Sequence, residues 1–355
     1  MNLICKLIED IKSRKRDYLL NILEISISIT ISLVITILLM VFMRYSVETA
    51  LSAYSILFSH GFTNIPYLLT RSTPLILTAL AFLLPSLTGL FNIGGEGQFY
   101  LGAITSLVIA YYTGSAILAI ITGGLAGGFL GLLLAILRVY KNVNEVVSAV
   151  MINRALYYIL IFIISTYLAD PIIPHQSISV PRSATLPIMH IHGLRVNCGF
   201  IVALLMSMCV AYIYYKTNLG FALRASGLNP KAAALAGFNI KRLMLISFII
   251  GGGMAGMGGA VHVLSVIHNI DVMLIGLYGY GFLGIGASLL GRNNPLGVIF
   301  SSLFISGLII GGQWIEVRLG LPHQLADLIV GIIIVSLAIP FSYHYIKLTL
   351  KRYRR

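Results

Sequence analysis

Polar positions in this chain are sparse and apolar ones come in long uninterrupted runs. Residues 97–137, forty-one in a row, include no Asp, Glu, Lys or Arg. That is too long for one soluble helix. It suits two membrane crossings joined by a tight turn, since a bilayer core of roughly 30 Å takes about 20 apolar helical residues per crossing. Uncharged runs of this kind predict an all-α polytopic membrane bundle of about ten transmembrane helices, at residues 25–43, 72–90, 97–112, 115–137, 146–168, 198–215, 243–267, 273–290, 296–314 and 325–345. The basic N-terminal stretch runs into the first of these without a small-residue cleavage site, so residues 25–43 read as an uncleaved first span. The organisation is then a cytoplasmic basic segment at 1–24, a membrane domain at 25–345 and a cytoplasmic basic tail at 346–355.

Basic residues orient the bundle. With the N-terminus in the cytoplasm and ten crossings, eighteen of the 24 Lys and Arg fall inside. Outside lie only Arg44, Arg71, Arg182, Arg195 and Arg318, and Arg154 falls within a span. This is the positive-inside bias, and it places both termini in the cytoplasm of a multi-pass cell-membrane protein. Composition agrees: 58% of residues are hydrophobic and 10% charged, against about 25% charged in soluble domains. Mean hydropathy is +0.95. The net charge of +13 is thus a topology signal, and nucleic acid is not an expected partner. Cys5, Cys198 and Cys209 have neither metal-ligand spacing nor a disulfide framework.

Several motifs narrow the chemistry by their absence. There is no phosphate-binding loop of the Gly-x4-Gly-Lys type and no His-Glu-x-x-His, so the chain is not expected to be an enzyme or to carry a cofactor or metal. Gly279, Gly281 and Gly284 match Gly-x-Gly-x-x-Gly, but inside an apolar span with no preceding strand, which excludes a dinucleotide fingerprint. Glycines 123, 124, 127, 128 and 131, and a second group at 251–259, have the small-residue spacing of helix-packing seams. A 169–197 loop carrying four prolines reads as a structured outer surface, not a domain.

Residues 88–99 interrupt the apolar pattern with Asn92, Glu96 and Gln98 among glycines. A lone carboxylate at bilayer depth costs on the order of 3 kcal/mol or more. Either the helix breaks here and its polar groups face a substrate path, or a tight cytoplasmic turn leaves Glu96 in water. The residues alone leave both open.

The stretch Phe91-Asn92-Ile93-Gly94-Gly95-Glu96-Gly97-Gln98 resembles the signature of the permease subunits of bacterial nucleoside ABC importers, in the family that also holds branched-chain amino acid and ribose permeases. Residues 144–153, 224–239 and 284–295 resemble further stretches of the same family, in the same order. The resemblance implies an importer subunit that moves substrate by alternating access. It implies a cytoplasmic ABC ATPase, a second permease subunit and an external substrate-binding protein as partners, besides membrane lipid and a small-molecule substrate. Substrate contact falls to Asn92, Glu96 and Gln98. Sugar or branched-chain amino acid transport, or ATP-independent secondary transport, are the alternatives. Two inverted halves around Glu96 and around 291–295 are a further expectation from position.

The inside loop 216–242 carries five basic residues and no acidic one. Within it Asn229 suits an N-cap, Pro230 the first helical position and Gly237 the residue past the end. A helix at 230–236 is too short to stand alone. With the resemblance it becomes an ATPase-coupling helix, carried by Leu228, Asn229, Pro230, Ala233 and Gly237, with Ala232, Ala233 and Ala234 permitting a close fit. Arg154 departs from the pattern: it is poorly spaced to pair with Glu145, and could turn inward toward an acid such as Asp327.

Overall fold

A computed structural model describes residues 28–191, 194–272 and 279–337. The basic N-terminal segment, Cys5, the C-terminal tail and parts of the first, eighth and tenth expected spans lie outside the described residues. The described chain is helical apart from one hairpin, and divides into two units.

The larger unit covers Asn64–Ser306. Its elements are α3 (Ile65–Ser86), α4 (Gly95–Thr113), α5 (Ala116–Lys141), α6 (Glu145–Tyr167), the antiparallel hairpin β1 (Ile188–Ile191) and β2 (Leu194–Asn197), α7 (Cys198–Lys216), α8 (Asn218–Leu228), α9 (Pro230–Leu235), α10 (Ile240–His262), α11 (Tyr280–Leu290) and the first half of α12 (Pro295–Leu319). The smaller unit holds α1 (Ser28–Phe42), α2 (Val47–Gly61), the second half of α12 and α13 (His323–Leu337).

Among the described residues, six helices are long and apolar enough to cross a membrane: α3, α5, α6, α7, α10 with its extension to Ile267, and α12. The shorter apolar helices α1, α11 and α13 fall where three more spans are expected, and α4, with 19 residues, overlaps the expected span at 97–112. The structure thus gives a polytopic helical membrane protein. Two elements depart from the sequence reading. Helix α2 occupies a stretch read as outer loop, capped by Ser46, whose hydroxyl accepts from the Thr49 amide at 3.1 Å. Helix α3 begins at Ile65, seven residues ahead of the expected boundary at Ser72, because Asn64 caps it and Pro66 fits its first turn.

The core of the larger unit is the contact of α10 with α5, α4 and α3. At Gly127 an added Cβ would run into the Gly252 carbonyl and the Gly256 backbone, and at Gly256 into the Gly123 carbonyl. Backbones meet directly, as the spacing of small residues predicts.

The described residues of the 169–197 loop form a structured surface, as expected, stitched to the chain that follows α10. The amides of Ser177, Val180 and Leu186 donate to the carbonyls of Ile270, His268 and Leu264. Beneath it, α10 ends in a π-helical turn, Val263–Ile267, closed by His268 at positive φ.

In the smaller unit, the Tyr54 hydroxyl of α2 donates to Ser32 of α1 at 3.1 Å. Gly311 lies against the Leu57 carbonyl and His60 against Trp314.

Candidate functional site

The break between α3 and α4 is built by three amide side chains. Asn92 and Gln98 bond each other reciprocally: Asn92 Nδ2 donates to Gln98 Oε1 at 2.9 Å and Gln98 Nε2 to Asn92 Oδ1 at 3.2 Å. Asn92 also donates to the Ala81 carbonyl of α3 at 3.2 Å. From the other side Asn153 of α6 donates to the Ile93 carbonyl and accepts from the Gly97 amide, both at 3.0 Å. These bonds satisfy backbone that the helix break leaves open, as buried backbone requires.

Glu96 sits in the first turn of α4 and is 7% exposed. Its carboxylate accepts from the Gly281 amide at 2.6 Å, across 185 residues of chain, and also engages Tyr100 and the backbone of Phe282 and Gly279. Gly281 is in the first turn of α11. One carboxylate therefore lies at the N-terminal ends of two helices, where unpaired amides and the helix dipole favour negative charge. Glycine at 281 is required: a Cβ there would overlap the Glu96 backbone.

The depth of this group counts against the reading as a solvated turn. Asn153 lies about two turns into α6 from Glu145, or ~12 Å of helix. At that end of α6, Glu145 pairs with Arg138 of α5 at 3.1 Å. Glu96 is thus buried well inside the bundle and is not a residue of a solvated surface turn. Nor does it look toward the 291–295 segment. Its partner is the opposite end of α11, within the Gly279–Gly284 glycine pattern.

Around this carboxylate stands an aromatic wall that sequence reasoning missed. Phe99 stacks on Tyr280 at 5.4 Å, and His262, at the end of α10, lies 4.9 Å from Tyr280 and 5.8 Å from Phe99. Arg71 of α3 donates through Nε to the Tyr67 hydroxyl at 2.9 Å and through a terminal nitrogen to the Tyr280 hydroxyl at 3.3 Å. Phe99, Tyr100 and His262 line a small cavity of about 10 Å³. The available signal was Arg71 inside an apolar stretch, which the topology count had placed at the outer end of a span.

The short helix of the 216–242 loop forms as expected. The Asn229 side chain accepts from the Ala232 amide at 3.1 Å, Pro230 opens α9 and Gly237 follows at positive φ. Ala232 and Ala234 are exposed, but Ala233 is buried. The apolar side chains presented outward are Leu228 and Leu235, 88% and 91% exposed. Arg154 is exposed and lies over the Tyr157 ring at 5.9 Å, while Asp327 is 3.5 Å from His323. Arg154 therefore does not turn inward.

A profile of the family described as "Branched-chain amino acid transport system / permease component" matches residues 64–338. The chain belongs to this permease family. It is similar to the guanosine ABC transporter permease protein NupP of Bacillus subtilis, 33% identical over 330 residues, covering 89% of this chain and 92% of that protein. It is also similar to the nucleoside ABC transporter permease protein NupB of Lactococcus lactis, 32% identical over 76% of this chain and 77% of that one. The glucose ABC transporter permease protein TsgB13 of Haloferax volcanii is 29% identical over 80% and 79%. No solved structure matches the permease. The match begins at Asn64, where the larger unit begins, so every residue around Glu96 named above lies within it. The family is one of transporters, not of enzymes.

Proposed function

We propose that this permease is the translocation subunit of an ABC importer for nucleosides, and that its substrate passes beside Glu96. The observation that carries the reading is the buried carboxylate between two helix N-termini, walled by Phe99, Tyr280 and His262. Aromatic faces suit a base and a carboxylate suits ribose hydroxyls or base N–H groups. The nucleoside and guanosine relatives support the same substrate class. Asn92 and Gln98 serve the path indirectly. Their amides are committed to each other and to the Ala81 carbonyl, so they hold the break open and leave Glu96 as the contact residue.

Transport is by alternating access, driven by a separate cytoplasmic ATPase. The α8–α9 corner is the coupling surface, with Leu228 and Leu235 as the inserted side chains and Asn229, Pro230, Ala233 and Gly237 fixing its shape. A second permease subunit completes the membrane part and an external binding protein delivers substrate to the side of the 168–197 loop. Both termini lie in the cytoplasm. The test is uptake of labelled nucleosides against glucose and branched-chain amino acids, in cells carrying this chain with its neighbouring transporter genes. Saturable, ATP-dependent nucleoside uptake is expected. Uptake of glucose alone would transfer the assignment to sugars, as the TsgB13 likeness would then suggest.

A further inference from the structure

We propose that Arg71 and the ring position of Tyr280 form the base-reading subsite of this path, and that it selects 6-oxopurine nucleosides, guanosine and inosine, ahead of adenosine. The inference rests on the nucleoside reading above and adds to it the edge of the base that is read.

Arg71 lies in an apolar helix, where a charge is costly and most often functional. Among the described residues no carboxylate is within ion-pair distance of it. Its guanidinium is held by two phenols, Tyr67 and Tyr280, and lies 5.4 Å from the centre of the Tyr67 ring. A guanidinium offers five donors in a planar fork and no acceptor. Two phenol oxygens engage only part of that fork.

Tyr280 shows what the fork is shaped to hold. Its ring stacks on Phe99 with an interplanar angle of 29°, and its oxygen rests on Arg71. A flat ring stacked on an aromatic side chain, with an acceptor oxygen against an arginine fork, is also the description of a bound oxo-base. The neighbouring cavity beside Phe99 and His262, about 10 Å³, is too small for a base and holds a single water at most. A base therefore arrives by replacing the Tyr280 ring, and Arg71 passes from the phenol oxygen to the base.

The chemistry then fixes the preference. Guanine and hypoxanthine present O6 and N7 side by side, two acceptors for two donors of the fork. Adenine presents an amine at the same place, setting donor against donor and leaving a desolvated group unpaired. Glu96, bonded to the backbone of the residue after Tyr280, is left to accept from N–H or hydroxyl groups on the far side of the same ligand.

The test is uptake of labelled guanosine, inosine and adenosine in cells with the complete importer, comparing wild type with Arg71→Lys, Arg71→Gln and Tyr280→Phe. The binding protein is unchanged throughout, so any change in ratio belongs to the permease. Both Arg71 variants are expected to lower guanosine and inosine uptake about tenfold and adenosine uptake less than about twofold. Tyr280→Phe keeps the ring, removes the competing oxygen and is expected to lower the KM for guanosine several-fold. Equal losses for all three nucleosides, or an unchanged ratio, would overturn the assignment. So would a guanosine KM that is unchanged or raised in Tyr280→Phe, which decides the matter even where an Arg71 variant does not reach the membrane. Wild-type cells that accumulate no nucleoside would instead refute the wider reading.

Discussion

Glycine is concentrated in two places in the larger unit, and its purpose differs between them. Along the α5–α10 seam, Gly127 and Gly256 remove side chains so that two helix backbones can touch. Around Glu96, Gly97 and Gly281 bare the amides of two helix beginnings to polar partners. The seam is dry. On its outer flank lies a groove of about 420 Å³ walled by Leu125, Phe129, Met254 and Met257, with only apolar residues lining it. The Glu96 region borders a cavity of about 10 Å³ and gathers a carboxylate, a guanidinium and three amide side chains. The larger space is thus apolar, and the polar groups gather beside the smaller one. Glycine spacing alone does not separate the two cases; the polar residues interleaved with the glycines do.

The seam is where substitution should do most damage. A Cβ at Gly256 meets the carbonyl of Gly123 and the backbone of Gly127, neither of which can swing aside. Gly256→Leu is expected to abolish assembly, read as loss of monodisperse protein after detergent extraction. Gly253→Ala is its control. There the nearest atom to a new Cβ is the Gly124 carbonyl at 3.5 Å, ordinary contact, and normal yield is expected. Equal loss in both variants would show that the seam is not held by backbone contact.

Glu96→Ala should separate assembly from transport. It removes the acceptor at the head of α11 and leaves the Gly281 amide unpaired, a cost of about 1–3 kcal/mol. The Asn92–Gln98 pair and the Asn153 bridge still hold the break. Insertion is expected to survive while uptake is lost. Unchanged uptake kinetics would remove Glu96 from the path and reduce this region to a second, polar kind of seam.

The sequence was readable wherever one segment declares its own role. Glycine repeats announced the seam, and Asn229, Pro230 and Gly237 announced α9 with both ends nearly in place. Helix α2 was missed because its 15 residues are too short and too mixed, with Ser, Thr and His among them, to resemble a crossing. The partner of Glu96 was missed for a different reason. Gly281 lies 185 residues away, and its glycine pattern was explained only as a nucleotide-motif coincidence. The sequence offers Asn92 and Gln98 as substrate contacts because amides supply the donors and acceptors that a ribose or base edge requires. Only their mutual spacing in three dimensions shows that they bond each other. Arg71, Tyr280 and His262 come from three separate helices, and no local signal joins them.

The α8–α9 corner tests whether function outside both glycine regions is separable from fold. Leu235 is almost wholly exposed, so Leu235→Glu is expected to change stability by no more than about 0.5 kcal/mol while lowering uptake about tenfold or more through lost ATPase coupling. Ala233→Arg is a poor probe of the same contact. Ala233 is 4% exposed, and a long side chain there adds an overpacking cost of about 1–3 kcal/mol. ATPase pull-down separates the two effects. Leu235→Glu should fail to capture the motor despite full membrane abundance, and normal capture with normal uptake would end the coupling assignment.

Arg154 should have the smallest effect, and it bears on the comparison because, like Arg71, it is a charge within an apolar helix of the structure. Burial and partners distinguish it from Arg71. Arg71 is half-buried between two phenols, whereas Arg154 is exposed beside the Tyr157 ring. It lies about two and a half turns into α6, near enough to the Glu145 end for a long side chain to reach toward the lipid headgroups. Glu145 already has Arg138, so removal of the Arg154 charge leaves no carboxylate stranded. Arg154→Gln is therefore expected to leave uptake within about twofold of wild type and stability within about 0.5 kcal/mol. A changed order of substrate preference in that variant would place Arg154 on the path, and the functional region would then have to extend from the α4–α11 contact out to the face of α6.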